Sequence, residues 1–389
     1  ASRQRFSGAS STLWEGPLCS SWLYYSRIAG HEHLAAWFEV RCWSDGVFEI
    51  LPWIENGWWN VAGPTSYDGT ASFTLGGTEV FSSAVTLHHH TRLPLLPSVA
   101  APYRVGGNWA TLLHVPAYLQ ATELVPSYYT AASEATIAGQ VSTYVPMARA
   151  SVPDPMGAGG YSPSIGLLPE WDVCYVTTAD KRARKTVLIN AWAHGRWPIH
   201  YRDETTMRTP LYAAYPTRVI NTNSVGSVSS VGASSTNDRT PATSGATPPI
   251  HASSHHPSVG YLAYLISGWG YCIEEMQHLA NCIHFKNGNF PRQNAKGIFL
   301  PSAGENTPRG MAWGWRTLAQ TVALTPDADP MRANFAGALV ENINYYHATY
   351  VAQPNNPFGL IESYGDSYTP AVTGTTLAGS TASVILLNS

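Results

Sequence analysis

Six segments in the second half of the sequence carry apolar residues at helical spacing, and they fall into three pairs. The pairs cover residues 165–179 and 181–194, 257–267 and 271–285, and 309–324 and 330–350. The joint inside each pair is short and rich in Gly, Pro or Asp, which is typical of a tight turn between antiparallel helices. The connections between pairs, 195–256 and 287–308, are long. We therefore expect helical hairpins with a short-turn end and a long-loop end, and a binding site at the long-loop end.

The first part of the sequence has the pattern of β structure. Residues 34–43, 47–54, 71–75 and 79–90 are β-branched and aromatic runs, separated by the turn signals Ser-Asp-Gly, Glu-Asn-Gly and Gly-Gly. Short strands spaced in this way are typical of an antiparallel β-sandwich. We expect a multidomain α+β chain.

The expected division has four parts. They are a β-sandwich domain over 1–130, a connector over 131–164, helical hairpins over 165–360 and an extended tail over 361–389. Ser164 is the expected N-cap of the first hairpin.

The composition limits the classes of function. Charged residues make up 12% of the 389 residues and the net charge is −3, so no long-range field attracts nucleic acid. No run is long and apolar enough to span a membrane. The 14 Trp and 21 Tyr suit carbohydrate, although such rings can equally be core residues. The five cysteines show no metal spacing, and buried thiols are favoured over a Cys19–Cys42 bridge.

Five stretches resemble a known group of proteins. They are EVFSSAVTLHHHTR, YSPSIGLLPEWDVCYV, IHYRDETT, HHPSVGYLAYLISG and RGMAWGWRTLAQTVALTPDADP. They resemble a family of large bacterial and phage-associated proteins near the exo-acting rhamnogalacturonan lyases, over roughly residues 70–360. The resemblance implies a β-sandwich, an (α/α) toroid and polysaccharide lyase chemistry, without assigning a catalytic residue. Three hairpins are too few for a closed toroid. The chain is therefore truncated, or the ring is open, or another copy completes it.

The densest group of chemically active residues follows the first helical hairpin. A polysaccharide lyase must remove the proton at C5 of a uronate and neutralise the adjacent carboxylate. His200, Tyr201 and Arg202 supply a base, an acid and a neutralising cation on one long loop. The alternative is a salt-bridge knot in which Arg202 pairs with Asp203 or Glu204.

Further candidates lie near the starts of the other hairpins. His255 and His256 precede a helix, whose dipole keeps an imidazole neutral and suited to act as a base, although capping is an equal alternative. Arg309 could bind a substrate carboxylate with two hydrogen bonds. The remaining candidates for substrate contact are Trp197, Glu274, Trp313 and Arg316. Glu274 shares a helical face with His278 and Asn281.

A metal site is not expected. His88 and His90 lie on one face of a predicted strand, and His114 is a conceivable third ligand. No carboxylate or Cys accompanies them at a recognisable spacing, so structural histidines are favoured. We expect no cofactor.

These patterns favour a secreted or virion-associated polysaccharide lyase that acts by β-elimination on an acidic glycan, with a homo-oligomer or larger assembly as a further expectation. Three alternatives stay open. One is a glycoside hydrolase, which needs two carboxylates from among Asp203, Glu204, Glu274, Glu275 and Glu341. The others are a non-catalytic glycan-binding protein and a structural protein of a virion or extracellular assembly.

Overall fold

The chain has an antiparallel sheet first and helices second, so its class is α+β. The computed structural model describes residues 11–59, 66–107, 112–153, 162–215, 249, 251, 255–285, 299–300, 303–304 and 308–354. The predicted tail over 361–389 lies outside the described residues. The boundaries at 130 and 164 stay predictions, because buried residues of the sheet and of the helices belong to one apolar cluster.

The main sheet has six strands in the order β1-β2-β3-β4-β7, and β8 pairs with β4. Its strands are β1 (Ser11–Glu15), β2 (Cys19–Ile28), β3 (His31–Trp43), β4 (Phe48–Asn56), β7 (Thr91–Pro94) and β8 (Tyr103–Val105). All neighbouring strands are antiparallel. Strands β5 (Ser66–Leu75) and β6 (Thr78–His88) form a separate hairpin. The four predicted runs fall largely within β3 to β6.

The two faces of the main sheet pack against different partners because side chains alternate along each strand. On one face, Leu51 and Trp53 join the core shared with the helices, and Trp53 meets Tyr271 edge-on at 5.3 Å between ring centroids. On the other face, Leu34 and Leu93 pack with residues of the β5–β6 hairpin. The sheet is therefore covered by helices on one side and by a hairpin on the other.

The described helices include the three predicted hairpins. The described α-helices are α1 (Pro116–Ala121), α2 (Glu134–Ala138), α3 (Glu170–Thr178), α4 (Lys181–Ala193), α5 (Val259–Ser267), α6 (Gly270–Phe285), α7 (Pro308–Leu324) and α8 (Arg332–Tyr346). The predicted hairpins are α3–α4, α5–α6 and α7–α8. From α3 to α8, each helix contacts the next one along the chain. Strands β9 (Phe299–Leu300) and β10 (Ala303–Gly304) form a short pair before α7.

The first hairpin begins later than the sequence predicts. Pro169, and not Ser164, occupies the N-cap of α3. The residue before a proline is pushed out of the helical region, so a helix that started at 165 could not pass through Leu168 and Pro169. The second helix of the pair begins as predicted, with the side chain of Asp180 accepting a hydrogen bond from the Arg182 backbone N–H at 2.7 Å.

All five cysteines are free thiols. Cys19 lies opposite Trp43 and Cys42 lies opposite Ser20, so the conceivable bridge between them is not formed. Four of the thiols are buried and Cys42 is half-buried. Among the described helices, none has the length and apolar character needed to cross a membrane.

Asp172 is an unusual member of the helical core. It lies in the first turn of α3, it is fully buried, and neither of its carboxyl oxygens has a hydrogen-bond partner among the described residues. Burial raises the pKa of this carboxyl well above its usual value. The folded protein therefore holds this proton at pH values where the unfolded chain has released it.

Replacing Asp172 with Asn is expected to stabilise the protein at neutral pH. Because the folded-state pKa is the higher one, Asp172 costs stability as pH rises above about 4, the unfolded value. Asp172→Asn should raise the free energy of unfolding by on the order of 1 kcal/mol or more at pH 7. Urea unfolding at pH 4 and pH 7 measures this, with Glu170→Gln, an exposed change in the same helix, as the control. An equal effect of Asp172→Asn at both pH values would contradict the assignment.

Candidate functional site

Charged side chains of alternating sign form a continuous line between the sheet and α6. We call this set the charge line, and its members in order are Glu275, Arg92, Glu274, Arg202 and Glu55. Glu55 belongs to β4 and Arg92 to β7, whereas Glu274 and Glu275 belong to α6. The fifth member, Arg202, lies in the segment that follows α4. The line therefore joins three parts of the fold.

Arg92 links the two adjacent glutamates of α6. Its Nε donates to Oε2 of Glu275 at 3.0 Å, and its Nη2 donates to the same oxygen. Its Nη1 donates to Oε2 of Glu274 at 3.5 Å, and Nη2 also donates to the backbone carbonyl of Tyr271 at 3.0 Å. The guanidinium lies 3.5 Å from the centroid of the Tyr271 ring. Burial of this cation is thus compensated by two carboxylates and an aromatic face.

Arg202 joins the sheet to α6 in the same way. Its Nε and Nη2 donate to the two oxygens of Glu55 at 2.5 and 2.9 Å. Its Nη1 and Nη2 donate to the two oxygens of Glu274 at 3.1 and 2.9 Å. Arg202 therefore binds two carboxylates with paired hydrogen bonds, the geometry for which a guanidinium is suited.

Backbone pairing explains why these residues meet. Glu55 and Arg92 are direct partners across β4 and β7. Beyond β4, the backbone N–H of Arg202 donates to the Gly57 carbonyl at 2.7 Å, which adds the segment after α4 to this corner of the sheet. A Cβ at Gly57 would lie 2.6 Å from the backbone carbonyl oxygen of His200, so glycine is required for this close approach.

The charge line is almost completely removed from water. The side chains of Arg92, Arg202, Glu55 and Glu275 are at most 1% exposed, and Glu274 is 12% exposed. Burial alone raises the pKa of Glu274, but Arg202 and Arg92 lower it by more. Against the same effect of burial, Arg92 above all holds the pKa of Glu275 well below its usual value. Both carboxyls of α6 are therefore ionised in the folded protein.

Three buried histidines extend the line beyond Glu275. His194, just after α4, contacts Oε1 of Glu275 through Nδ1 and contacts Nε2 of His256 through Nε2. His200 Nε2 lies 3.0 Å from each oxygen of Glu275. Burial lowers the pKa of His194 and lowers the pKa of His256 further, so both imidazoles are neutral near pH 7. Neutral imidazoles of this kind can ligate metal or accept a proton.

A cleft of about 560 Å³ opens beside the N-terminal turns of α6. It lies between the β1–β2 edge of the sheet and the two short turns 268–270 and 326–330. Its lining includes Trp14, Glu39, Arg208, Glu274, Gln277 and Asp329. The cleft is thus at the short-turn end of the second and third hairpins. The long-loop end, where the sequence predicts the site, includes 216–248 and 286–298, which lie outside the described residues.

Two carboxyls of the cleft have contrasting surroundings. Glu39 is fully buried in the wall, accepts from Ser21 Oγ at 2.8 Å and from Arg41 Nε at 3.3 Å, and lies 3.4 Å from the backbone N–H of Tyr271. Burial raises the pKa of Glu39 more than Arg41 and the hydrogen bonds lower it. Glu274 is partly exposed to the cleft and has a lowered pKa. The cleft therefore has carboxyls whose pKa values are shifted in opposite directions.

The structure buries the consecutive residues proposed for lyase chemistry. His200, Tyr201 and Arg202 are at most 2% exposed. Arg202 pairs with Glu55 and Glu274. The alternative prediction, in which Arg202 forms its salt bridge with Asp203 or Glu204, is therefore wrong. The Tyr201 ring stacks on His90 at 3.8 Å between centroids. None of these three residues is among those that line the cleft.

The predicted face of α6 is correct. Glu274 binds Arg202, the ring of His278 packs edge-on against His200 at 5.2 Å, and Asn281 Nδ2 donates to the Pro210 carbonyl at 2.6 Å. The three positions therefore contact one segment, residues 200–210. Sequence spacing identified this face because it depends on helical geometry alone.

The remaining substrate candidates are not brought together in the cleft. Trp197 is buried and packs edge-on against His256. Arg316 is buried and donates to the carbonyl of His256 at 2.6 Å. Trp313 and His255 are half-buried, and the side chain of Arg309 lies outside the described part of the chain.

The three weak metal candidates are separated as well. His114 Nδ1 lies 3.0 Å from the hydroxyl of Tyr175 in α3. His88 ends β6, and His90 occupies the following turn with a positive φ of 60°. In the described ranges, the group of three His, Cys, Asp or Glu side chains whose ligand atoms all lie within 4.8 Å of one another consists of His194, His200 and Glu275.

Sequence reasoning assigned no role to Arg92, Glu55 or Glu39, and it named Glu275 only as one of five candidate carboxylates of a hydrolase. All four are charged residues at positions that the local pattern assigns to buried elements. A charge in such a position is uncommon unless it is paired, and this is the signal that could have found them.

No protein-family model, no curated protein and no solved structure matches this chain.

Removing Arg202 is expected to destabilise the fold strongly. Arg202→Met keeps the volume of the side chain but leaves Glu55 and Glu274 buried without this partner, which costs about 3–5 kcal/mol. Urea unfolding of the variant and the wild type measures the loss. The control is Arg182→Met, which breaks ion pairs with Glu134 and Asp180 at the surface and should cost far less. Equal losses in the two variants would contradict the role given to the charge line.

Proposed function

We propose that this protein is a carbohydrate-active enzyme that cleaves a glycan held in the cleft beside α6. The observation that carries the proposal is the position of Glu274. This carboxylate is held by Arg202 and Arg92, and it is the member of the charge line that reaches the cleft. A rigidly held, ionised carboxylate at a cleft wall is suited to act as a base or a nucleophile.

Glycoside hydrolysis is the reaction that the carboxyls favour. Such enzymes use a protonated acid and an ionised partner on the two sides of the scissile bond. Glu39 has a raised pKa and Glu274 a lowered one, which is the contrast expected of an acid and a base. Glu39 lies against the backbone of Tyr271, and three residues of helix, about 4.5 Å of rise, separate Tyr271 from Glu274. We therefore assign Glu39 as the acid and Glu274 as the base or nucleophile.

The lining of the cleft suits a sugar. Trp14 and Tyr264 provide aromatic surface for the C–H faces of a sugar ring, and Gln277 provides a neutral amide for its hydroxyl groups. The volume of about 560 Å³ lies within the range of roughly 300–1,000 Å³ that is common for small-molecule sites. A short segment of a glycan is therefore a reasonable occupant.

A polysaccharide lyase acting on an acidic glycan is the second candidate, and Arg208 favours it. Its side chain is 28% exposed in the cleft wall and donates to Asp329 at 3.3 Å. A uronate carboxylate could take the place of Asp329 on this guanidinium. Glu274 would then remove the C5 proton, the C4–O bond would break as the C4–C5 double bond forms, and the leaving oxygen would take a proton from water. In this mechanism Arg202 is a positioning residue, since it binds both oxygens of Glu274.

The finer architecture is also part of the proposal. We infer that the main sheet and the β5–β6 hairpin form a β-sandwich-type unit. The consecutive hairpins α3–α4, α5–α6 and α7–α8 would form an incomplete (α/α) toroid, because each helix packs against the next. A homo-oligomer would complete such a ring. An extracellular location follows from a polysaccharide substrate.

Replacing either carboxyl is expected to reduce turnover by about 10²-fold or more while the fold is retained. A panel of pectic, alginate-like, glycosaminoglycan and neutral glycans would first identify the substrate. Reducing ends and the ultraviolet absorbance of unsaturated uronates are read together. New reducing ends without absorbance indicate hydrolysis, and both signals together indicate elimination. Glu274→Gln and Glu39→Gln are then compared with the wild type at fixed substrate.

The matched control is Glu49→Gln, in which the altered carboxylate pairs with Arg104 at the sheet and does not line the cleft. It should keep wild-type turnover. Turnover that survives Glu274→Gln would overturn the site assignment. A folded wild type that binds glycans without cleaving them would favour a glycan-binding protein. One that neither binds nor cleaves any of them would favour a structural protein of an assembly.

A further inference from the structure

Behind the cleft, three buried side chains direct potential metal ligands at one point. His194 Nδ1, His200 Nε2 and a carboxylate oxygen of Glu275 all lie within 4.8 Å of one another. Each of the three side chains is fully buried. They come from the end of α4, from the segment after it and from α6, so three separate parts of the chain contribute.

The tautomer of His200 is determined by its surroundings. Its Nδ1 lies 3.0 Å from the backbone carbonyl of Trp197 and 3.2 Å from that of His90. Carbonyl oxygens only accept hydrogen bonds, so Nδ1 carries the proton. In a neutral imidazole, Nε2 then presents its lone pair to the ionised carboxylate of Glu275 at 3.0 Å. Two electron-rich atoms at this distance need a positive charge between them.

His194 contacts the same carboxylate. Its Nδ1 points at Oε1 of Glu275, and its Nε2 contacts Nε2 of His256. A proton on His194 Nε2 would be donated to His256, leaving the lone pair of Nδ1 directed at Glu275. In metal sites, a ligating histidine usually donates its other N–H to a carbonyl, a carboxylate or another acceptor. His200 does so here, and His194 would do so in the tautomer that carries its proton on Nε2.

We propose that His194, His200 and Glu275 bind one divalent transition-metal ion of the zinc class, and that this ion pins α4, the segment after it and α6 together. Two imidazole nitrogens and one carboxylate oxygen are a ligand set that zinc accepts. Ligand atoms around tetrahedral zinc are about 3.3 Å apart for bonds of 2.0–2.1 Å, close to the 3.0 Å between His200 Nε2 and Glu275. The site is independent of the function proposed for the cleft.

Arg92 does not prevent binding at this site. It donates to Oε2 of Glu275, whereas His194 contacts Oε1, so the two oxygens are divided between the guanidinium and the metal position. The competing explanation is an imidazolium on His200, paired with Glu275 without any metal. The two explanations differ in whether the purified protein contains a metal ion.

The first test is the metal content of the full chain, purified without chelator from cells supplied with Zn²⁺. Elemental analysis is expected to find about one equivalent of zinc. Removal of the ion should lower the unfolding temperature, and added Zn²⁺ should restore it, because an ion bound only by the folded state stabilises that state. Replacement with Co²⁺ should give visible absorption bands of low-symmetry coordination. These measurements need no substitution, so they decide the matter even if the variants fail to fold.

The second test assigns the ligands. His200→Gln and Glu275→Gln are expected to weaken Zn²⁺ binding at least tenfold in calorimetric titration of the metal-free protein. His278→Gln is the matched control, since His278 is a buried histidine beside His200 that is not in the ligand set. It should retain wild-type affinity. Less than a tenth of an equivalent of metal with no effect of Zn²⁺ on unfolding would overturn the proposal, as would full binding by both ligand variants.

Discussion

The ion pairs of the charge line are the interaction on which the rest of this structure depends. Charges as buried as Arg92 and Arg202 are costly to remove from water, and they are tolerated only because each guanidinium is held between carboxylates. The line is therefore weak evidence for a large net stability. Its role is to fix how β4, β7, α6 and the segment through Arg202 are placed relative to one another, because each charge has an oppositely charged partner only in this arrangement. Apolar side chains of similar size would tolerate several arrangements.

That constraint also explains where the cleft forms. The charge line draws the first turns of α6 against the sheet, and Tyr271 packs between Arg92 and Trp53. The turn before α6 is thereby brought beside the β1–β2 edge, and the turn 326–330 closes the other side. Glu274 belongs to both features, since its carboxylate binds Arg202 and Arg92 and the residue lines the cleft. The position of the carboxylate that we propose as catalytic is thus determined by Arg92 and Arg202, which do not line the cleft.

Local patterns predicted what depends on local geometry. The three helical hairpins and the strands β3 to β6 follow from apolar periodicity and turn residues, and the face shared by Glu274, His278 and Asn281 follows from helical spacing. The partners of those residues could not be predicted in this way. Arg202 and Glu55 are 147 positions apart, and Arg92 and Glu275 are 183 positions apart. For Arg202, Asp203 and Glu204 were nearer residues of opposite charge, so proximity in sequence indicated the wrong partner.

Glu275 connects the ion pairs of the charge line to the cluster of buried histidines. Glu275 receives Arg92 at one oxygen and His194 at the other, with His200 near both. The charge line contains three carboxylates and two guanidinium groups, so it is one positive charge short of neutrality. A proton on His200 would supply that charge, but it would do so by adding a third buried cation with only Glu275 to share. A divalent ion ligated by His194 and His200 would supply two positive charges to the line's one net negative charge, and both histidines would bind it as neutral ligands. The carboxylate could then serve the metal and the guanidinium together, and Glu274 would keep both of its arginine partners.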